Sequence, residues 1–143
     1  MTKNYFYLSA GILFILLAVT HTLFGLGTAL PILHDSSIDS SITTIFTFQL
    51  HMIGVQDLIY GIAAVIMSFQ RDMTRVRFAA RMIVAILFAR WVIMALITAI
   101  YDIGNIMDLL TSSIAFSILI VLLLLGTKVQ SRQLEGSERD SGR

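Results

Sequence analysis

Residues 43–69 read TTIFTFQLHMIGVQDLIYGIAAVIMSF. This stretch is long and apolar enough to cross a bilayer as a helix, because a helix rises about 1.5 Å per residue and the hydrocarbon core is about 30 Å thick. Comparable apolar runs lie at 5–30, 78–101 and 109–127. The sequence therefore predicts an all-α polytopic membrane protein with four transmembrane helices, whose connections are too short to hold a second domain.

The overall composition agrees with this interpretation. The 143-residue chain is 57% hydrophobic and 13% charged, whereas soluble domains are roughly 45–50% apolar and about 25% charged. It contains no cysteine, which excludes disulfides, thiol redox chemistry and Cys-ligated metal centres. A formal net charge of +1 argues against a nucleic-acid partner. We expect the partner to be the lipid bilayer, with a homodimer or a partner membrane subunit left open.

The positive charges predict the orientation of the helices, because short loops rich in Lys and Arg stay in the cytoplasm. The connections 31–42 and 102–108 contain no Lys or Arg. We therefore predict an antiparallel four-helix bundle with both termini cytoplasmic, in the cell membrane and specifically the bacterial inner membrane. Apart from Arg90, the basic residues lie at the amino end, in the second connection and at its junction with span three, and in the tail: Lys3, Arg71, Arg75, Arg77, Arg81, Lys128, Arg132, Arg139 and Arg143.

Two further patterns concern the organisation of the chain. Residues 1–128 are predicted to form one transmembrane domain, and residues 129–143 a disordered polar tail, because the tail has too few apolar residues to order itself. Small residues recur every seven positions in span one, as Gly11 and Ala18, and in span two, as Gly54 and Gly61. Such residues mark helix contacts in membranes, so we expect these two spans to pack against each other.

Two charged side chains lie deep inside the predicted spans, Asp57 and Arg90. Counted from Thr43 and Tyr101 at the outer ends of their spans, they are about 21 and 17 Å deep. A lone charge at the bilayer centre costs about 2.5–3.5 kcal/mol on insertion scales. We therefore predict that Asp57 and Arg90 form a charge pair, in which each offsets the desolvation of the other. The sequence leaves open whether the pair is a structural clamp or takes part in binding or transport.

Polar residues on both sides of Asp57 predict a pocket that opens toward the outer face. On a helical wheel Gln49, Gln56 and Tyr60 lie to one side of Asp57, and His51 lies to the other. His21 in span one and His51 in span two have similar depths, about 12–14 Å. The predicted lining, besides Asp57 and Arg90, is His21, His51, Gln49, Gln56, Tyr60 and Tyr101.

Two histidines at one depth on facing helices are also typical of a haem b site, in which His21 and His51 would be the axial ligands. A haem needs a cavity walled by small residues and charged partners for its propionates. Hydrogen-bonded interior histidines are the simpler interpretation, so no metal site and no cofactor is predicted, with quinone and haem b kept as alternatives.

The plan of the whole chain resembles the DoxX-like small four-helix membrane proteins of bacteria. The resemblance is carried by HTLFG, with His21 and Gly25 near the end of span one, and by His51 followed by Gly54 and Gly61. The founding members of that group are similar to subunits of quinone-linked oxidoreductases. The resemblance thus implies a membrane redox role, in which catalytic residues are unknown.

Taken together, the sequence favours an accessory, non-catalytic membrane protein whose polar pocket binds a quinone, a lipid or a small polar ligand. The first alternative is a proton-coupled small-molecule transporter, in which Asp57 would carry the proton. The second alternative is a membrane redox subunit, with or without a bound haem. If the protein is an enzyme, we expect a quinone-linked membrane oxidoreductase subunit.

Overall fold

The computed structural model describes residues 4–35, 38–70, 72–101 and 103–141, and the described part is all-α. Three of the basic residues that predict the orientation, Lys3, Arg71 and Arg143, lie outside the described residues. The elements are α1 (Tyr5–Phe24), a π-helical turn (Gly25–Ala29), α2 (Leu30–Asp35), α3 (Ser40–Phe69), α4 (Met73–Tyr101), a 3-10 turn (Ile103–Asn105) and α5 (Ile106–Ser141).

Four helical stretches in the described part are long and apolar enough to cross a membrane: Tyr5–Asp35, Ser40–Phe69, Thr74–Tyr101 and Leu109–Lys128. They coincide with the four predicted spans, which confirms an all-α chain with four candidate membrane-spanning helices. The first stretch combines α1, the π turn and α2, and it extends past the predicted end at Leu30. Pro31 does not stop the helix there. It is the second residue of α2, just after the π turn, and the helix continues to Asp35.

Polar side chains close the amino ends of two helices. The Asn4 side chain accepts hydrogen bonds from the backbone N–H groups of Phe6 and Tyr7 at the start of α1. Asp39 caps α3 by accepting the Ser41 N–H at 2.8 Å. Hydrogen bonds from the backbone and the side chain of Ser41 hold the pKa of the Asp39 carboxyl below its ordinary value, because they stabilise the ionised form.

Helices α1 and α3 pack through their small residues. A Cβ placed on Gly11 would lie 2.9 Å from the Gly61 carbonyl oxygen, and one placed on Gly61 would lie 3.0 Å from the Gly11 oxygen. A Cβ on Gly54 would lie 2.8 Å from the Thr22 hydroxyl. The backbones therefore approach too closely for larger residues, as the seven-residue spacing predicts.

The buried core joins α1 to α4 and α5. Phe14 of α1, Leu87 of α4 and Leu123 of α5 are completely buried. At one end of the bundle, Asn4 donates its backbone N–H to the Ser68 oxygen and its side-chain amide to the Gly126 oxygen, at 3.1 and 2.9 Å. These bonds link the start of α1 to the ends of both α3 and the fourth span.

The last helix continues beyond the fourth span to Ser141. Its backbone is therefore helical through most of segment 129–143, for which the polar composition predicts disorder. The division into a membrane domain and a disordered tail stays a prediction.

Candidate functional site

The centre of the candidate site is Asp57, which is only 3% exposed in the middle of α3. Arg90 of α4 donates from Nη1 to Asp57 Oδ1 at 3.0 Å. Asp57 and Arg90, which the sequence predicts as a pair from their depths in the membrane, are thus in direct contact. The Arg90 side chain is 24% exposed and the Asp57 side chain 4%, so water screens this interaction little.

His21 of α1 is a third member of the cluster. Its Nδ1 lies 3.0 Å from Asp57 Oδ2, which is within ion-pair distance. That nitrogen is buried and has no aligned hydrogen-bond partner among the described residues. The Asp57 carboxylate therefore has Arg90 at one oxygen and His21 at the other. The sequence pointed to His21 as a pocket residue but placed it opposite His51 rather than beside Asp57.

A cavity of about 240 Å³ opens onto this cluster. The His21, Asp57 and Arg90 side chains form its charged and polar part, with the hydroxyl residues Thr111 and Ser112 from α5. The other lining residues are apolar: Phe14, Leu17, Met94, Ala115, Phe116 and Leu119. The cavity therefore has one strongly polar region in otherwise apolar walls, which is typical of small-molecule sites.

Aromatic and hydroxyl contacts hold the α4 side of the site. The Arg90 guanidinium carbon lies 5.4 Å from the centre of the Phe116 ring, a cation–π arrangement. The neighbouring Trp91 donates its indole N–H to the Ser113 hydroxyl at 2.7 Å. Ser113 in turn donates to the Leu109 carbonyl at 2.7 Å. The bond from Trp91 therefore links α4 to α5 one residue beyond Arg90.

The other residues of the predicted pocket do not line this cavity. Gln49 and His51 are exposed on α3, and Tyr101 is 82% exposed at the end of α4. Gln56 donates its amide to the Tyr60 hydroxyl at 2.7 Å. Of the predicted lining, this cavity brings together His21, Asp57 and Arg90. Helix α3 turns its glycine face toward α1, and Gln49 and His51, which lie on different sides of α3, stay exposed.

A larger and more open groove, about 600 Å³, lies between α2 and the start of α3. It is lined by Thr43, Thr44, Thr47 and His34 among others. The threonine hydroxyls donate to backbone carbonyls one turn earlier, so they are already satisfied within the helix. We therefore place the candidate site at Asp57 and not in this groove.

The described residues contain no group of three or more His, Cys, Asp or Glu side chains placed to hold a metal ion. The chemistry of the site therefore rests on one carboxylate, one guanidinium and one imidazole in an apolar setting.

Comparison of the chain with protein-family models, with curated proteins and with solved structures gave no match.

Proposed function

We propose that the protein is a small multi-pass protein of the cell membrane that binds a quinone, a lipid or a small polar molecule in the cavity at Asp57. In this proposal it is an accessory component and not an enzyme in its own right. Its four spans form an antiparallel bundle with both termini in the cytoplasm.

Helix contacts and charges support this arrangement. Gly11 lies against Gly61, whereas Thr22, later in α1, lies against Gly54, earlier in α3. Contacts that run in opposite order along two helices are those of an antiparallel pair. The absence of Lys and Arg from connections 31–42 and 102–108 supports cytoplasmic termini.

The observation that carries the proposed binding function is the combination of the His21–Asp57–Arg90 cluster with a cavity. A structural clamp between two helices needs only Asp57 and Arg90. Here a third ionisable side chain lies at the same carboxylate, and all three residues line the 240 Å³ cavity. Ionisable residues in membrane spans are costly and commonly mark binding or transport pathways.

The test is to purify the protein in discs of native lipid and to identify co-purifying molecules by mass spectrometry. Ala115→Phe fills the cavity, since Ala115 lines it, and Ile114→Phe is the matched control on the exposed face of α5. We expect one molecule to be enriched with the native protein and the control but lost with Ala115→Phe. Identical lipids in all three samples would refute ligand binding, and a visible spectrum of the same sample tests for haem.

The second candidate is a proton-coupled transporter, which the contact between His21 and Asp57 favours. A carboxylate and an imidazole 3.0 Å apart can exchange a proton inside the bilayer. In proteoliposomes, the molecule identified by mass spectrometry would then drive proton flux that Asp57→Asn abolishes. Binding without proton flux would leave the accessory function and reject transport.

A further inference from the structure

We infer that the cavity at Asp57 selects a neutral molecule whose head group carries a carbonyl or similar oxygen acceptor, and that it discriminates against ionic head groups. The inference rests on the proposed function, because it names the chemical class of the ligand for the same cavity. It is argued from the hydrogen-bond donors of Arg90, the charge of the cluster and the apolar walls.

Arg90 offers hydrogen-bond donors to a ligand in the cavity. A guanidinium carries five N–H donors and no acceptor. In the described part of the chain, Arg90 gives one side-chain hydrogen bond, from Nη1 to Asp57 Oδ1. The Arg90 guanidinium carbon lies over the Phe116 ring at 5.4 Å, but a ring face does not replace an oxygen acceptor for N–H groups. Because Arg90 lines the cavity, an oxygen atom of a ligand can accept these remaining bonds.

The charges of the cluster favour a neutral ligand. Asp57 and Arg90 lie 3.0 Å apart and cancel formally, so the cluster has no net charge whenever the His21 imidazole is neutral. A neutral ligand therefore leaves the cluster balanced. An anion would bring a second negative charge close to Asp57, and a cation would bring a second positive charge close to Arg90. Either leaves a net charge in an apolar cavity, which is unfavourable.

The walls of the cavity are mostly apolar. Apart from the cluster and the hydroxyl residues Thr111 and Ser112, the lining consists of Phe14, Leu17, Met94, Ala115, Phe116 and Leu119. These six side chains offer no polar group to a ligand, so we expect the body of the ligand to be apolar. A neutral head group with an oxygen acceptor, attached to an apolar or aromatic body, satisfies Arg90 and these walls together.

Two matched probes test the inference, 2-acetylnaphthalene and 2-naphthoate, which share an aromatic body and differ in a ketone against a carboxylate. Their binding to the full chain in phosphatidylcholine nanodiscs is measured by equilibrium dialysis, with empty nanodiscs subtracted. The measurement is made at pH 8, above the ordinary histidine pKa of about 6.5. We expect saturable binding of one ketone per protein, at least tenfold tighter than the carboxylate. Equal or tighter binding of the carboxylate would overturn the inference.

Two variants assign the binding to this cavity. Arg90→Lys keeps the positive charge but removes the planar donor group, and we expect it to weaken ketone binding at least tenfold. Ala115→Phe leaves the charges intact and should abolish ketone binding, whereas Ile114→Phe should not. Ketone binding that survives Ala115→Phe overturns the inference, because the site then lies elsewhere.

The outcomes also separate this inference from the proposed function. If the carboxylate binds as tightly as the ketone and Ala115→Phe removes both, the cavity binds ligands but the inferred class is wrong. If neither probe saturates, the inference is wrong, and the proposed function falls only if Ala115→Phe also leaves the co-purified molecules unchanged.

Discussion

Removing either member of the Asp57–Arg90 pair should destabilise the bundle strongly, and removing both should cost clearly less than the two single losses added together. Loss of one partner of a buried ion pair costs about 3–5 kcal/mol, because the other charge stays buried without compensation. The two single variants are not equivalent here. Arg90→Gln leaves Asp57 with His21 at 3.0 Å, whereas Asp57→Asn leaves Arg90 with the Phe116 ring, which is worth about 0.5–2 kcal/mol.

We therefore expect Asp57→Asn to lower the free energy of unfolding by about 4 kcal/mol and Arg90→Gln by about 3 kcal/mol. The double variant has two neutral amides that can hydrogen-bond, and its loss should be about 3 kcal/mol smaller than the sum of the single losses. The assay is reversible unfolding in lipid discs or bicelles, with accumulation in the membrane as a second readout. The exposed Ile114→Phe variant sets the baseline.

The outcome that refutes this reasoning is additivity. If the double variant loses as much stability as the two single variants together, Asp57 and Arg90 do not stabilise each other. Single losses below about 0.5 kcal/mol, the size of ordinary surface effects, would mean that the contact has no structural weight.

Three further predictions concern packing, pH and topology. Gly61→Ala places a Cβ 3.0 Å from a backbone oxygen of α1 and should cost about 1–3 kcal/mol in unfolding experiments, whereas Gly27→Ala, with nothing within 4 Å, should change stability by less than about 0.5 kcal/mol. The lowered pKa of Asp39 means that its capping contribution is present above the unfolded pKa, about 3.9, and is lost as the pH falls through the lower folded value. Amide exchange at the start of α3, corrected for intrinsic pH dependence, should therefore lose protection in acid, and Asp39→Ala should remove that change. Because the chain has no cysteine, Ser36→Cys should react with an impermeant thiol reagent outside the cell, and Ser131→Cys should react only after lysis; the reverse pattern would contradict cytoplasmic termini.

The sequence was sufficient for the features that depend on distance along a helix. The spans follow from runs of apolar residues, since their length must match the bilayer. The contact between Gly11 and Gly61 follows from small residues at a regular interval. Asp57 and Arg90 could be paired because depth is set by the rise per residue and because a charge in the membrane needs a partner.

Features that depend on the rotation of each helix could not be predicted in the same way. His21 was matched in depth with His51, yet it contacts Asp57, about two turns away along α3. A helical side chain leans toward the start of its own helix, so His21 and Asp57 lean toward each other when α1 and α3 run in opposite directions. The direction of these side chains, combined with the alignment of Gly11 with Gly61, is the signal that would have predicted the contact between His21 and Asp57.

The rotation of α3 likewise decides which of the predicted pocket residues lie together. A helical wheel gives the angle between Gln49 or His51 and Asp57, but it does not say which face of α3 contacts α1. The close approach at Gly54 sets that rotation. The rotation of α1 decides the burial of Tyr7 in the same way. Its position near the end of a span suggests the membrane interface, yet the side chain is completely buried.

The π turn at Gly25–Ala29 divides the first span into two segments with different phases. The Leu30 N–H bonds to the Gly25 oxygen five residues earlier, so one residue more than in an α-helix occupies this turn. One extra residue rotates everything after it by about 100° relative to α1. The positions that tolerate substitution should therefore recur with the helical period up to Phe24. From Leu30 onward they should recur with the same period, but shifted by one residue. A single-residue deletion within the turn would restore one continuous repeat and rotate α2, while His21 keeps its place beside Asp57.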